Sequence, residues 1–509
     1  MKFTALAVFT LSSLSFVSAQ QRVISYDFRY ERHDYFSGTT IKCEENDGLL
    51  LSLTNSHSIK RVLINSAGRY INLLEQFFSS KDSGTEFKHQ SYLAKGMESF
   101  YTKSTFVGGV YYNGKIIEVM RSRSSFDFYF IGTKLGTGTN AIEDTVKSEP
   151  SERIIACFNK QEKLYLLTYI INTNKLNIYE KSENGNLDKT QIDVHLTNLG
   201  KVSNKAFSSS ITEFSDIFRK GNFAVYENNL RYPVLFTAIR NKAYVHKNNV
   251  IFSVTSNNLN TYLINIDLDK RDYAIQTFDQ DEMTDENTGD ATTASCLIDN
   301  YLVTCHAKEG KLKLNIFESA TGTLIKSFSI DETNIATITS NDLQKTGGFF
   351  SKSDIAGTDF GKFYRTARAN KLSMTGYIEK GKLFLSFAAP YKQVINGTTI
   401  MNIAMSAAGT YFINTAPNTY GYFLLNAKGT QTPTYVGFDA TIDLQNNDFV
   451  KLYPDFSTWD KMAGFMRLKD IGSYNSSFMY MNDNYYVGFP NPLDNKYYIY
   501  RFNNKESGE

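Results

Sequence analysis

The chain has 509 residues, with 54 basic and 52 acidic side chains and a formal charge of +2; the charges are mixed along its length, which disfavours a nucleic-acid partner. Aromatics are plentiful, 33 Tyr and 38 Phe against a single Trp, while Pro is scarce at 8. Tyr and Phe favour strands and fill space between sheets, so the bias points to an all-β chain.

The first residues have the form of a secretory signal peptide over 1–19: Lys2, a short apolar run from Ala5 to Val17, and the small residues Ser18 and Ala19 before Gln20. That run falls short of the roughly 20 residues that cross a bilayer, and no later window reaches that length. The expectation is a secreted, extracellular protein without a membrane span.

Arg22 to Tyr30 alternates, with Ile24, Tyr26, Phe28 and Tyr30 on one side. Gly48 to Leu53 with Arg61 to Gly68 is a first strand unit. Ile71, Leu74, Phe77 and Phe78 fit a helix or a strand. Phe106 to Met120 is a hairpin closed at Asn113-Gly114, and Ile154 to Leu196 is a third unit. Ser210-Ile211-Thr212-Glu213 is a capping box leading into a short helix with Ile211, Phe214, Ile217 and Phe218 on one face, ended by Gly221. Lys242 to Asp279 then reads as four strands separated by Asn and Asp clusters.

A shift of 50 residues aligns Asn265-Ile266 with Asn315-Ile316, Ile275 with Ile325 and Phe278 with Phe328, so Ala294 to Asp331 is a second copy. Leu176-Asn177-Ile178 and Met401-Asn402-Ile403 carry the same word, and Ser319-Ala320-Thr321-Gly322-Thr323 matches Ser406-Ala407-Ala408-Gly409-Thr410. Thr358 to Arg368 has no clear period and is expected to be a loop. Lys371 to Asn414 is a further unit, followed by Tyr420 to Leu425 with Thr434 to Ile442; Trp459, Met462, Ala463 and Met466 suggest a helical turn. The last unit, Phe478 to Phe502, has only three strands, and pairing it with Arg22 to Tyr30 would close a ring and hide two edges.

Leu314 to Ile330 resembles the outer strands of quinoprotein-like and related β-propeller repeats, in which small residues and Gly-Thr link the last two strands of a blade. The resemblance implies a toroid of six to eight blades. The fold expected is therefore all-β: one β-propeller domain over 20–509, of about seven blades, with helical insertions near 199–240, 340–370 and 443–475. The WD and kelch subfamily signals are missing, and the single Trp disfavours a quinone cofactor.

Four cysteines in an oxidising compartment should pair. Cys296 and Cys305 flank a predicted hairpin and are candidates to lie opposite each other, leaving Cys43 and Cys157 to join distant units; the other two pairings stay open. Asn396 and Asn475 head N-glycosylation tripeptides. Asp279, Asp281, Glu282, Asp285, Glu286 and Asp290 crowd one loop without an intervening Lys or Arg, the best candidate for a hard cation such as Ca2+, although Met283 breaks the EF-hand spacing and a solvated acidic loop is the simpler reading. No two of the six histidines have metal-pair spacing; His246 and His306 are candidates to face one channel. The closing tyrosines, Tyr485, Tyr486, Tyr497, Tyr498 and Tyr500, fit packing between blades better than sugar stacking.

No catalytic constellation can be assembled from these residues, so the leading expectation is a non-enzymatic module that binds a protein or glycan. A metal-dependent hydrolase or lyase with its site in the central channel is the alternative, and a structural or coat protein the third.

Overall fold

A computed structural model describes residues 20–27, 37–43, 48–54, 58–65, 70–77, 90–92, 103–112, 114–160, 163–182, 185–196, 213–219, 223–229, 241–256, 260–278, 292–340, 344–346, 352–354, 360–370, 372–390, 435–452, 477–481, 484–491 and 496–503. Within them the strands form seven sheets.

After β1 (Gln20–Asp27), blade 1 comprises β2 (Ser37–Cys43), β3 (Gly48–Thr54), β4 (Ser58–Asn65), β5 (Tyr70–Phe77) and the short β6 (Gln90–Tyr92). Blade 2 is β7 (Ser104–Tyr112), β8 (Lys115–Ser122), β9 (Phe128–Lys134) and β10 (Asn140–Val146); blade 3 is β11 (Glu152–Lys160), β12 (Lys163–Ile170), β13 (Lys175–Ser182) and β14 (Leu187–Asp193). The helical turn α1 (Asp216–Arg219) precedes blade 4, which is β15 (Phe223–Glu227), β16 (Asn241–His246), β17 (Asn249–Ser256), β18 (Asn260–Asp267) and β19 (Asp272–Phe278). Blade 5 is β20 (Thr292–Ile298), β21 (Tyr301–Lys308), β22 (Lys311–Glu318) and β23 (Leu324–Ile330). Then come α2 (Ile335–Ile338), β24 (Gln344–Thr346), β25 (Lys352–Asp354) and α3 (Phe360–Asn370), followed by β26 (Ser373–Glu379), β27 (Lys382–Pro390), β28 (Tyr435–Asp443) and β29 (Asp448–Val450) of blade 6. The last blade is β30 (Ser477–Met481), β31 (Asn484–Asn491) and β32 (Lys496–Asn503).

These sheets make a β-propeller. The first strands of successive blades touch, β30 with β2, β2 with β7, β7 with β11 and β20 with β26, so they form the inner wall. The ring closes as the alternation of Arg22 to Tyr30 implies: β1 pairs antiparallel with β32, Tyr26 opposite Tyr497 and Arg22 opposite Tyr500, and supplies the last blade's fourth strand. The turns follow their chemistry. Gly114, between β7 and β8, and Gly322, between β22 and β23, take φ of 81° and 77° in the left-handed region that glycine enters without a Cβ clash.

Residues 70–77 are strand β5, since β4 offers them an edge to pair with. The expected loop at 358–368 is instead helix α3, because Phe360, Phe363, Tyr364 and Ala367 recur at helical spacing and bury one stripe against β27, β28 and β21. Blade 6 also departs from expectation. Its third strand is β28, the partner of β27, so 371–390 and 435–443 belong to one blade; the word at Met401 to Thr410 lies outside the described residues. Its fourth position is shared by β29 and by β24, which arrives from the link after blade 5.

Apolar clusters fill the seams. The one between blades 3 and 4 takes in Leu167, Ile178, Phe252 and Ile264 with Phe214 and Ile217 of the α1 region, and the one between blades 5 and 6 takes in Val303, Ile316, Leu385 and Phe438 with α3. On the inner wall the fit is close enough to test. A Cβ on Gly108 of β7 would lie 2.5 Å from the Cys157 Sγ on β11. Gly108→Ala is expected to cost about 1–3 kcal/mol by overpacking, and a Cys157→Ala background, which removes the Sγ but keeps the Cβ 2.9 Å from the new methyl group, to recover only part of that, as thermal melts would show.

Candidate functional site

The inner wall at blade 4 carries a strand that the other blades lack among the described residues. β15 runs parallel to β16 on its axial edge, Tyr226 opposite Tyr244 with ring centroids 5.8 Å apart. The turn after it ties neighbouring blades together. Asn228 donates from Nδ2 to the Asp299 carbonyl (2.8 Å) and accepts at Oδ1 from the Asp299 N–H (2.8 Å), gripping the β20–β21 turn of blade 5; Asn229 Oδ1 accepts from the Ile378 N–H of blade 6 at 2.7 Å. One segment therefore lines the axial edge of blade 4 and clasps the inner hairpins of blades 5 and 6. Asn228→Ala is expected to lower stability by about 1–3 kcal/mol, with faster amide exchange at Asp299 as the local readout.

The seam between blades 4 and 5 gathers buried polar side chains from both blades beside apolar contacts such as the edge-on Phe278–Phe317 pair. In blades 3 and 5 the apolar residues flanking Asn177 and Asn315 face the next blade, whereas Ile264 and Ile266, flanking Asn265, face back to blade 3. A one-residue slip turns every side chain of a strand over, so Asn265 and Asn315 meet in one seam. With them are the buried side chains of Lys242, Ser253, Thr261, Ser295, Thr304 and His306. Lys242, 1% exposed, donates to the Ser295 carbonyl, and Ser253 Oγ lies 3.2 Å from Ser295 Oγ. Burial pushes the Lys242 ammonium down to about 8. His306 Nδ1 is 2.9 Å from Thr293 Oγ1, and burial, aided by Lys313, holds its imidazole down at about 4. Sequence reading passed over Lys242; its one signal is a cation on the same side of β16 as Tyr244.

His246 and His306 do not share a channel. His246 ends β16 beside Asn228 (3.0 Å), at the β16–β17 turn, while His306 stands opposite Thr293 near the start of β20, the other end of its blade. Cys296 and Cys305 are on adjacent strands but not opposite each other, because the register sets Cys296 against Val303 and Cys305 against Ala294. They and Cys157 are free, buried thiols whose ionisation burial suppresses; Cys43 ends β2. The acidic run Asp279, Asp281, Glu282, Asp285, Glu286 and Asp290, the acceptors Asn396 and Asn475, the segment 1–19 and the Trp459 turn lie outside the described residues. Among the described residues no group of three or more His, Cys, Asp or Glu is placed to hold a metal ion.

A different feature stands on the rim, where blade 2 passes to blade 3. The β8–β9 turn holds Phe126 at φ 64°, the residue 36% exposed. A bulky side chain in that region costs about 1–2 kcal/mol, and the turn is held there by Ser122, whose Oγ accepts from the Ser124 and Ser125 N–H groups at 3.3 and 3.1 Å. Under the ring lies Arg121, 5.4 Å from the centroids of both Phe126 and Phe128, with Nη2 donating to the Glu152 carbonyl at 2.8 Å. Burial and the neighbouring Arg153 pull its pKa below the usual arginine range. The Glu152 side chain turns away into the blade 2–3 seam, where Oε1 accepts from Asn177 Nδ2 (2.9 Å), Tyr179 OH (2.8 Å) and Thr168.

Sheets, closure and axial strand together define a seven-bladed β-propeller with a self-clasped inner wall. No family model matches the chain, and no curated protein matches it in sequence. Among solved structures it is similar to the Dos1 propeller (9% identity, covering 96% of this chain and 97% of that one, TM-score 0.34) and to an oligogalacturonate lyase in complex with manganese (8%, 96% and 93%, 0.32). It is also similar to prolyl oligopeptidase B from Galerina marginata (11%, 74% of this chain, TM-score 0.27), of which the match spans 47%.

Proposed function

We propose that the protein is an extracellular, non-catalytic binding module that recognises a protein or glycan ligand through the loops on its rim. The observation that carries this reading is the axial strand β15 with its Asn228–Asn229 clasp. In a propeller enzyme, side chains from separate blades would converge on a ligand in the channel; here the axial edge of blade 4 and the turns of blades 5 and 6 are engaged by the chain's own backbone and amides. Recognition is left to the rim, where exposed side chains such as Phe126 are held in fixed geometry. The extracellular placement rests on the signal-like run at 1–19.

The test is to express the whole chain in a secretory host and expose the purified protein to arrays of immobilised peptides and glycans, then to recover bound ligands and weigh them. Saturable capture of ligands returned with unchanged mass is the expected result. Turnover of any captured ligand would overturn the reading in favour of an enzyme.

A further inference from the structure

We infer that the rim between blades 2 and 3, centred on Phe126, is a docking surface for an acidic peptide segment that carries an apolar side chain. The inference rests on the binding reading above and names the partner's chemistry. Its first support is Phe126 itself: a residue 36% exposed, set on a left-handed backbone that glycine would occupy without strain, its ring stacked on Arg121. A strained, exposed aromatic is disfavoured both by its backbone and by its hydration, so folding alone gives no reason for it.

The second support is charge. Lys103, Arg123 and Lys147 are exposed and Arg153 is half-buried around the same turn, joined to it through the Arg123 N–H to Lys103 carbonyl bond (3.1 Å) and the Ser148 N–H to Asp127 Oδ1 bond (3.1 Å). The two carboxylates nearby, Asp127, which accepts that bond, and Glu149, which accepts from Ser151 Oγ at 3.2 Å, are outnumbered by these four cations. Cations around one aromatic anchor match a segment in which acidic residues flank an apolar one, the ring receiving the apolar group while the cations neutralise its neighbours. A long polyanion would need a stripe of cations and would have no use for the ring.

The experiment uses the full chain and a short fluorescent peptide of Glu and Asp with one central Leu, read by anisotropy at low and high salt. The wild-type protein is expected to bind it, more weakly as salt rises. Phe126→Gly should bind roughly tenfold more weakly, having lost the buried ring contact, and yet melt at a higher temperature because glycine relieves the turn. Arg123→Glu with Lys147→Glu should also lose roughly tenfold or more, together with most of the salt dependence. The docking surface is overturned if wild type does not bind the peptide, if the variants bind as wild type does, or if Phe126→Gly lowers the melting temperature. Binding of heparin by wild type and Phe126→Gly alike, with no binding of the peptide, overturns it in favour of an anionic glycan site. Peptide recovered shortened would instead sink the non-catalytic reading and leave the surface standing.

Discussion

Arg61→Met is expected to destabilise the protein by about 3–5 kcal/mol, the largest effect of any single substitution considered. Arg61 of β4 is fully buried; its Nη2 donates to Glu118 Oε2 of β8 at 2.6 Å and its Nη1 to Gln76 of β5. Gln76 Nε2 in turn donates to the Gly138 carbonyl at 2.8 Å, so blades 1 and 2 are joined by one chain of polar contacts. Removing the guanidinium leaves the Glu118 carboxylate, 2% exposed, without that partner in a low-dielectric seam. Two desolvated ions rarely outdo a hydrophobic pair of the same size, so Arg61→Met with Glu118→Leu should recover most of the loss. Calorimetric melts of the two singles and the double decide the matter. If Arg61→Met melted with wild type, the seam would be held by its apolar cluster of Leu50, Leu63 and Ile116 alone.

Acid should weaken the seam between blades 4 and 5 before the rest of the ring. His306 is 4% exposed and its folded pKa lies near 4, against about 6.5 in an unfolded chain. A base whose folded pKa is depressed contributes its full stability above the unfolded value and loses it as pH falls through the folded one. The window is therefore pH 6.5 to 4, and the loss about 3 kcal/mol. The groups set against the imidazole sharpen this: Lys313, opposite it on β22, holds its pKa down, and the Thr293 hydroxyl on β20, 2.9 Å away, is neutral. His306→Asn, which keeps an acceptor for Thr293, should flatten stability across the window. Lys313→Met, by letting the folded pKa rise towards the unfolded value, should make the loss smaller and end it at a higher pH. Hydrogen exchange of β17, β20 and β21 amides, corrected for intrinsic rates, is the readout; identical pH profiles for His306→Asn and wild type would show that the proton goes elsewhere.

How far the sequence reached depended on whether the signal was local. Strands bounded by Asn, Asp and Gly clusters, such as β16 to β19 and β20 to β23, were legible because period-two patterning and turn chemistry are written within a few residues. The pairing of β1 with β32 was legible too, since an alternating strand at one end and a three-stranded unit at the other imply each other. Helix α3 was not, because Gly361 and the polar residues between Phe360, Phe363, Tyr364 and Ala367 blur a stripe that only blade 6 makes meaningful. Faces were harder still. The word Asn-Ile recurs in blades 4 and 5, yet its Asn faces forward in one and backward in the other, and no count of matching letters shows a one-residue slip. Hence the gathering of Lys242, Ser253, Ser295 and His306, and the pose of Phe126, came from the structure.

The bond between β1 and β32 has a consequence for biosynthesis. Strand partners at 20–27 and 496–503 stand almost the whole chain apart, so during vectorial synthesis the earliest strand must wait, its edge open, until the last is made. Closure is then the slowest step to become available and the most exposed to rival strands. A chaperone that shields residues 20–27 during synthesis would act on yield without touching the finished molecule.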